Sequence, residues 1–296
     1  SIDYMIQYLL IFLTIFSTSV FAMDMNHCEY TQDELGKKYP KMMHHDMNQS
    51  FDQLRTSIPS MQRMTNQQIM GMMKMMGPNY YWPVSNQGSV NNGVLIMAHG
   101  YGPGGDQDLF DSAHSVGMIY QTTLSMGMSM MTSSHVICSV NEMIHNDVEK
   151  IFVVPVSSTA HNTLVRQWNY IFGLEENYAY AEVEQINNEK IVMLDPISDD
   201  LYAKKIILEY TNEISSDPSN EVLIIIAHGP IDEVDNNIEL DLMNNIGDYI
   251  KQHTSIKTVM AFTLQDDAPK EIRDRNLDNI KTFMRTSKEE GKRVLM

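Results

Sequence analysis

The sequence predicts an α/β protein built as two tandem lobes, each a parallel sheet flanked by helices. Three observations carry this. Runs of almost purely apolar residues recur at Val94-Leu95-Ile96-Met97, Ile151-Phe152-Val153-Val154 and Val222-Leu223-Ile224-Ile225-Ile226, and such runs suit strands buried on both faces. Helix-forming stretches separate them, and alternating strands and helices make layered α/β folds. Finally, Ala98-His99-Gly100 and Ala227-His228-Gly229 each close one of these runs, 228 − 99 = 129 residues apart, which suggests duplication of a whole unit.

A chain of 296 residues is long enough for two domains, and its 43% hydrophobic content supports a sizeable core. The 38 acidic residues outnumber the 21 basic ones, for a net charge of −17. Nucleic acid is therefore excluded as a partner, since its recognition needs a basic face. An acidic surface attracts cations.

The first element is a signal-peptide-like segment over residues 1–22. Tyr8 to Phe16 is almost wholly apolar, and Val20-Phe21-Ala22 resembles a cleavage site. The run is too short for a membrane span, so no stable span is expected after its removal. The mature protein is expected in the periplasm or outside the cell. For the two cysteines, Cys28 and Cys138, a disulfide and a pair of free thiols both remain open.

Residues 23–92 form a polar lead segment rich in Met and His. It contains Met42-Met43-His44-His45-Asp46-Met47, then methionines at 61, 64, 70, 72, 73, 75 and 76. Helix-forming residues run from Ser60 to Met76, and Gly77-Pro78 ends them. Two readings are open. Thioether and imidazole ligands favour soft metals such as Cu(I); alternatively, the flexible methionines pack on a neighbouring domain.

The first lobe spans residues 93–195. Its strands are the runs near 94 and 151 and a third at Ile191 to Leu194, with helices over Val136 to Asp147 and His161 to Ile171. The second lobe spans 196–296. It begins with a helix over Leu201 to Ile214, followed by the strand near 222, a helix over Asp235 to Lys251, a strand over Lys257 to Thr263 and a helix over Lys270 to Glu290. Arg293 to Met296 reads as the start of a further strand, so this lobe is expected to be incomplete.

Ligands of open α/β sheets bind at the C-terminal ends of strands. His99 falls there, and Gly100 lets backbone approach a ligand. The strand ending at Pro155 leads through a polar loop to His161. Two imidazoles from neighbouring strand ends can hold one divalent metal and leave coordination positions open. His228 repeats the position of His99 and is read as shaping the cleft. A serine hydrolase is excluded because Gly127-Met128-Ser129-Met130-Met131 lacks the final glycine of the nucleophile elbow. A phosphate-binding loop of the G-x-x-x-x-G-K-[ST] type is also absent.

From about Gly93 to Met296 the chain resembles the sirohydrochlorin cobaltochelatase-like proteins, the class II chelatases related in fold to ferrochelatase. The resemblance rests on Ala98-His99-Gly100, on Gly127 to Met131 before a helix, and on Val153-Val154-Pro155 with His161 six residues after the proline. In the second half it rests on Ala227-His228-Gly229-Pro230 and on Thr263-Leu264-Gln265-Asp266-Asp267-Ala268-Pro269. It implies two ferrochelatase-type lobes and a lyase that inserts a divalent metal, Co²⁺ first and Ni²⁺ or Fe²⁺ as alternatives, into a sirohydrochlorin-like tetrapyrrole, as in cobalamin biosynthesis. It implies no organic cofactor. His99 and His161 take the metal-holding and catalytic roles. Pyrrole protons must leave as the metal enters, and Asp106, Asp108 and Asp111, in the loop after His99, are candidate acceptors. A polycarboxylate ring also needs a local cation, for which Arg166 is named. The alternative is an exported metal or tetrapyrrole carrier without turnover.

Overall fold

A computed structural model describes residues 28–41 and 46–296. The signal-like segment and Met42-Met43-His44-His45 lie outside the described residues. The chain is a mixed α/β protein with two sheets, one of seven strands and one of three, flanked by helices.

The larger sheet runs in the order β1-β2-β3-β5-β4-β6-β7. Its strands are β1 (Tyr30–Gln32), β2 (Lys38–Pro40), β3 (Tyr80–Ser85), β4 (Asn92–Ala98), β5 (Gln121–Met126), β6 (Lys150–Pro155) and β7 (Ile191–Met193). β5, β4, β6 and β7 are mutually parallel, as the apolar runs predict for β4, β6 and β7. The other three strands pair antiparallel, with β3 lying against β5. The sheet is therefore mixed, and strands of the lead segment extend it rather than standing apart.

Both faces of the sheet are covered, which explains why β4 has no polar side. Leu95 and Met97 pack with Val136, Val140 and Trp168, from helices α5 (Ser134–His145) and α6 (Thr163–Ile171). Val94 and Ile96 point the other way, toward Tyr80, Trp82 and Leu109. Leu109 lies on α3 (Gly102–Ser112), which is followed by a short helix α4 (His114–Gly117).

The lead segment also supplies α1 (Met47–Ser57), a 3-10 turn (Pro59–Met61) and α2 (Asn66–Met76). Thr65 and Gln68 form a reciprocal capping box at the start of α2, and Gly77 ends it with φ +89°. Phe51, Leu54 and Ile69 from these helices bury against Met130, Met131 and Tyr180. Lys38 of β2 pairs with Glu142 of α5 at 2.7 Å, and the Tyr81 hydroxyl donates to the same carboxylate at 3.0 Å. Cys28 and Cys138 form a disulfide that ties the chain before β1 to α5, resolving the two readings of these cysteines.

The smaller sheet has the order β10-β8-β9, all parallel, from β8 (Glu221–Ala227), β9 (Thr258–Thr263) and β10 (Arg293–Leu295). Its helices are α7 (Leu201–Ile214), α8 (Glu233–His253) and α9 (Lys270–Glu289). This order repeats β6-β4-β5 of the larger sheet, with β8 standing where β4 does. The handoff at each central strand is also repeated: Gly127 N–H donates to the Ala98 carbonyl at 2.8 Å, and Leu264 N–H to that of Ala227 at 3.1 Å. Among the described residues, no helix is long and apolar enough to cross a membrane.

Candidate functional site

β4 and β8 deliver His99 and His228 to the C-terminal edges of their sheets, and both imidazoles line one cavity of about 930 Å³. In each case the next residue is a glycine in left-handed backbone, Gly100 at φ +96° and Gly229 at φ +80°. The turn is thus built the same way twice, but its surroundings differ. A Cβ on Gly229 would meet the Cβ of Thr263 at 2.6 Å, whereas around Gly100 nothing lies within 4 Å. The first turn is open and the second is packed.

His99 is exposed and its ring sits edge-on to Tyr101 at 4.6 Å. Facing it in the cavity wall are Ser157, Ser158 and Asn162 from the loop after β6, and Glu239 and Asp267 from the second lobe. His228 Nδ1 lies 3.1 Å from its neighbour's carbonyl, Gly229 O, and Nε2 lies 3.7 Å from Asp267 Oδ2. The Gly229 carbonyl and the Asp267 carboxylate both only accept, so the two ring nitrogens each face an acceptor. The His228 loop is fixed from behind by Gln265, a non-glycine residue at φ +50°. Its backbone N–H donates to the His228 carbonyl at 2.6 Å, and its buried amide donates to Pro230 O at 3.0 Å. Asp267 is tied to the lead segment, because its carbonyl accepts from Ser60 N at 3.2 Å. Ser158 Oγ donates to Glu239 Oε1 at 2.7 Å and joins the two lobes across the cavity floor.

His161 follows β6, the parallel neighbour of β4, in whose register Met97 pairs with Pro155. Its side chain is half exposed and is not part of the cavity wall, although Asn162 beside it is. Instead His161 Nδ1 lies 4.0 Å from Asp235 Oδ1. Arg166 grips the same carboxylate with both terminal nitrogens, NH1 to Oδ2 at 2.8 Å and NH2 to Oδ1 at 2.9 Å. It lines a neighbouring cavity of about 790 Å³ with Asp232 and Tyr178. The structure therefore brings His161 and Arg166 together at Asp235 of α8, and sets His99 and His228 in the wall of one cavity.

The three candidate proton acceptors need correcting. Asp106, Asp108 and Asp111 lie on helix α3, not in a loop, despite the glycines at its start. Asp106 is buried, with Oδ2 accepting from the Tyr80 hydroxyl at 2.5 Å and Oδ1 from Tyr101 N at 2.7 Å. Burial and this hydrogen bond push the Tyr80 phenol well above its ordinary range. Asp106 is thus a strut holding Tyr101 beside His99. Asp111 accepts from Gln107 at 2.9 Å, and neither it nor Asp108 reaches the cavity wall.

Glu239 carries no signal in the sequence, whereas Gln265 and Asp267 fall within Thr263 to Pro269, one of the segments on which the resemblance rests, without a role assigned to either. Among the described residues, no group of three or more His, Cys, Asp or Glu side chains is placed to hold a metal ion together.

No family model matches the chain, and no curated protein matches it. Among solved structures it is similar to SirB from Bacillus subtilis with Fe3+, at 14% identity and a TM-score of 0.46, over 66% of this chain and 71% of that one. The likeness is distant.

Proposed function

We propose that this protein is a chelatase-type lyase that holds a divalent metal in the cleft and inserts it into a sirohydrochlorin-like tetrapyrrole. The observation that carries the reading is that two Ala-His-Gly turns, from the central strands of two sheets, present their imidazoles to one cavity of about 930 Å³. Imidazoles suit divalent Co, Ni and Fe. A metal on one or two of them keeps coordination sites for incoming pyrrole nitrogens. His99 is the first donor in this reading. His161, from the neighbouring parallel strand, and His228, from the second lobe, are the two candidates for the second.

Metal entry expels pyrrole protons. In this reading Asp267 and Glu239 of the cavity wall accept them, with His228 Nε2 3.7 Å from Asp267. Arg166, committed to Asp235, acts as a joint between α6 and α8 in this reading rather than as a substrate cation.

The test is metal insertion by the wild-type chain with Co²⁺, Ni²⁺ and Fe²⁺, followed in the tetrapyrrole absorption spectrum. Insertion should vanish in His99→Ala. Whichever of His161→Ala and His228→Ala loses metal affinity as well as turnover identifies the second donor. Lack of insertion with every metal, by folded protein, would sink the reading.

A second reading, an exported metal or tetrapyrrole carrier, draws on the Cys28–Cys138 disulfide. Disulfides persist in oxidising compartments, which accords with a periplasmic or secreted location. Stoichiometric binding in the cleft without turnover would select it.

A further inference from the structure

A smaller cavity of about 180 Å³ adjoins the cleft and shares His99 with it. Half of its lining residues are methionines. Met70, Met73 and Met76 of α2 come at intervals of three and so fall along one side of the helix. Met128, Met130 and Met131, from the segment after β5, line the same space.

Packing accounts for only part of this cluster. Ile69 is the wholly buried residue of α2, Met130 and Met131 are buried in the same core, and Met47, Met72, Met73 and Met128 pack against it. Met70 and Met76 are 47% and 40% exposed, yet they line the cavity. Apolar side chains left in water forgo the stabilisation of burial, so these two positions are not explained as core.

Their chemistry offers another account. A thioether is a neutral, soft donor, and thioethers with imidazole select Cu(I) over harder divalent ions. Neutral donors also suit a monovalent ion, since they require no proton release on binding. Thiolates would be stronger soft ligands, but both cysteines of this chain are committed to the disulfide. Thioethers remain available as donors in a compartment that oxidises thiols.

We propose that this pocket is a soft-cation site that takes Cu(I) through methionines of α2 and of residues 128–131, with His99 as the ligand it shares with the cleft. The site does not rest on the chelatase reading, and failure of metal insertion would leave it untouched.

The test uses the full chain in its disulfide form, without oxygen. Cu(I) is titrated against a chromophoric chelator, and Ag(I) serves as a redox-inert probe. One equivalent should bind, with sulfur neighbours in the Cu X-ray absorption spectrum. The triple variant Met70→Leu, Met73→Leu, Met76→Leu conserves volume and should weaken Cu(I) by at least ~10-fold, with thermal unfolding and Co²⁺ binding unchanged. The single variant Met70→Leu, at an exposed position, should weaken it in the same direction should the triple variant unfold. His99→Ala should weaken both metals. Unchanged Cu(I) affinity in the methionine variants, or a coordination shell without sulfur, would overturn the proposal. Unchanged Cu(I) affinity in His99→Ala would remove His99 from the site.

Discussion

The guanidinium of Arg166 closes on both carboxylate oxygens of Asp235, 69 residues away on the other lobe. Asp235 is nearly buried, with 9% of its side chain exposed, and this partner satisfies both of its oxygens. Arg166→Ala is expected to destabilise the protein by about 1–3 kcal/mol, the lower end reflecting the partly exposed arginine. A double-mutant cycle with Asp235→Asn should return a coupling energy of about 1 kcal/mol or more. Additive effects in urea unfolding would show that the pair does not join the lobes.

His135 sets an acid limit. Its imidazole is fully buried on α5, and burial pushes it down from 6.5 to about 3. Between those pH values the unfolded chain binds more protons than the folded one, so stability rises with pH. The contribution is complete above about pH 6.5 and is lost as pH falls toward 3. His135→Gln should flatten this limb, removing a slope of up to about 1.4 kcal/mol per pH unit in denaturant unfolding.

Glu221 at the start of β8 behaves as a second, lower acid limit. Burial raises its carboxyl, but hydrogen bonds from Ser215 and from the backbone of Ser216 and Asp217, with the charge of Arg293, outweigh this and hold it at about 2. Its stabilisation is present above about 4.5 and is lost as pH falls toward 2. Glu221→Gln should cost about 1–3 kcal/mol at neutral pH. Arg293→Ala should cost less, because that guanidinium is 55% exposed. Equal costs in chemical denaturation would contradict this ranking.

The paired glycines can be told apart. Gly100→Ala meets only the left-handed backbone penalty, about 1 kcal/mol. Gly229→Ala adds a clash with Thr263 and should cost about 2–4 kcal/mol while displacing His228. Melting temperatures of the two variants give the order, and metal affinity reports whether the His228 turn has moved.

The strands buried on both faces were legible because burial leaves only apolar residues, as in β4 and β8. β5 escaped notice because Gln121, Thr122, Thr123 and Ser125 are buried polar residues. Thr122 meets part of its need locally, donating to Tyr120 O at 2.9 Å. α3 was hidden by Gly102, Pro103, Gly104 and Gly105, which read as a loop. β1 and β2 have only 3 residues each, and β3 carries Pro83 beside a register shift. At the site, the duplicated Ala-His-Gly made His99 and His228 visible. The partners Asp235 and Glu239 come from the other lobe, and no spacing rule connects them to the residues they meet.

Because Cys28 and Cys138 are 110 residues apart, their bond makes a covalent ring that contains β1 to β5 and His99 but excludes His161 and His228. The ring includes an exposed stretch at residues 86–90. A protease cutting there would leave two pieces that still migrate as one molecule until a reductant is added. Both Ala-His-Gly turns would stay on the carboxy-terminal piece, and the disulfide would be the covalent link that holds the lead segment to them until reduction.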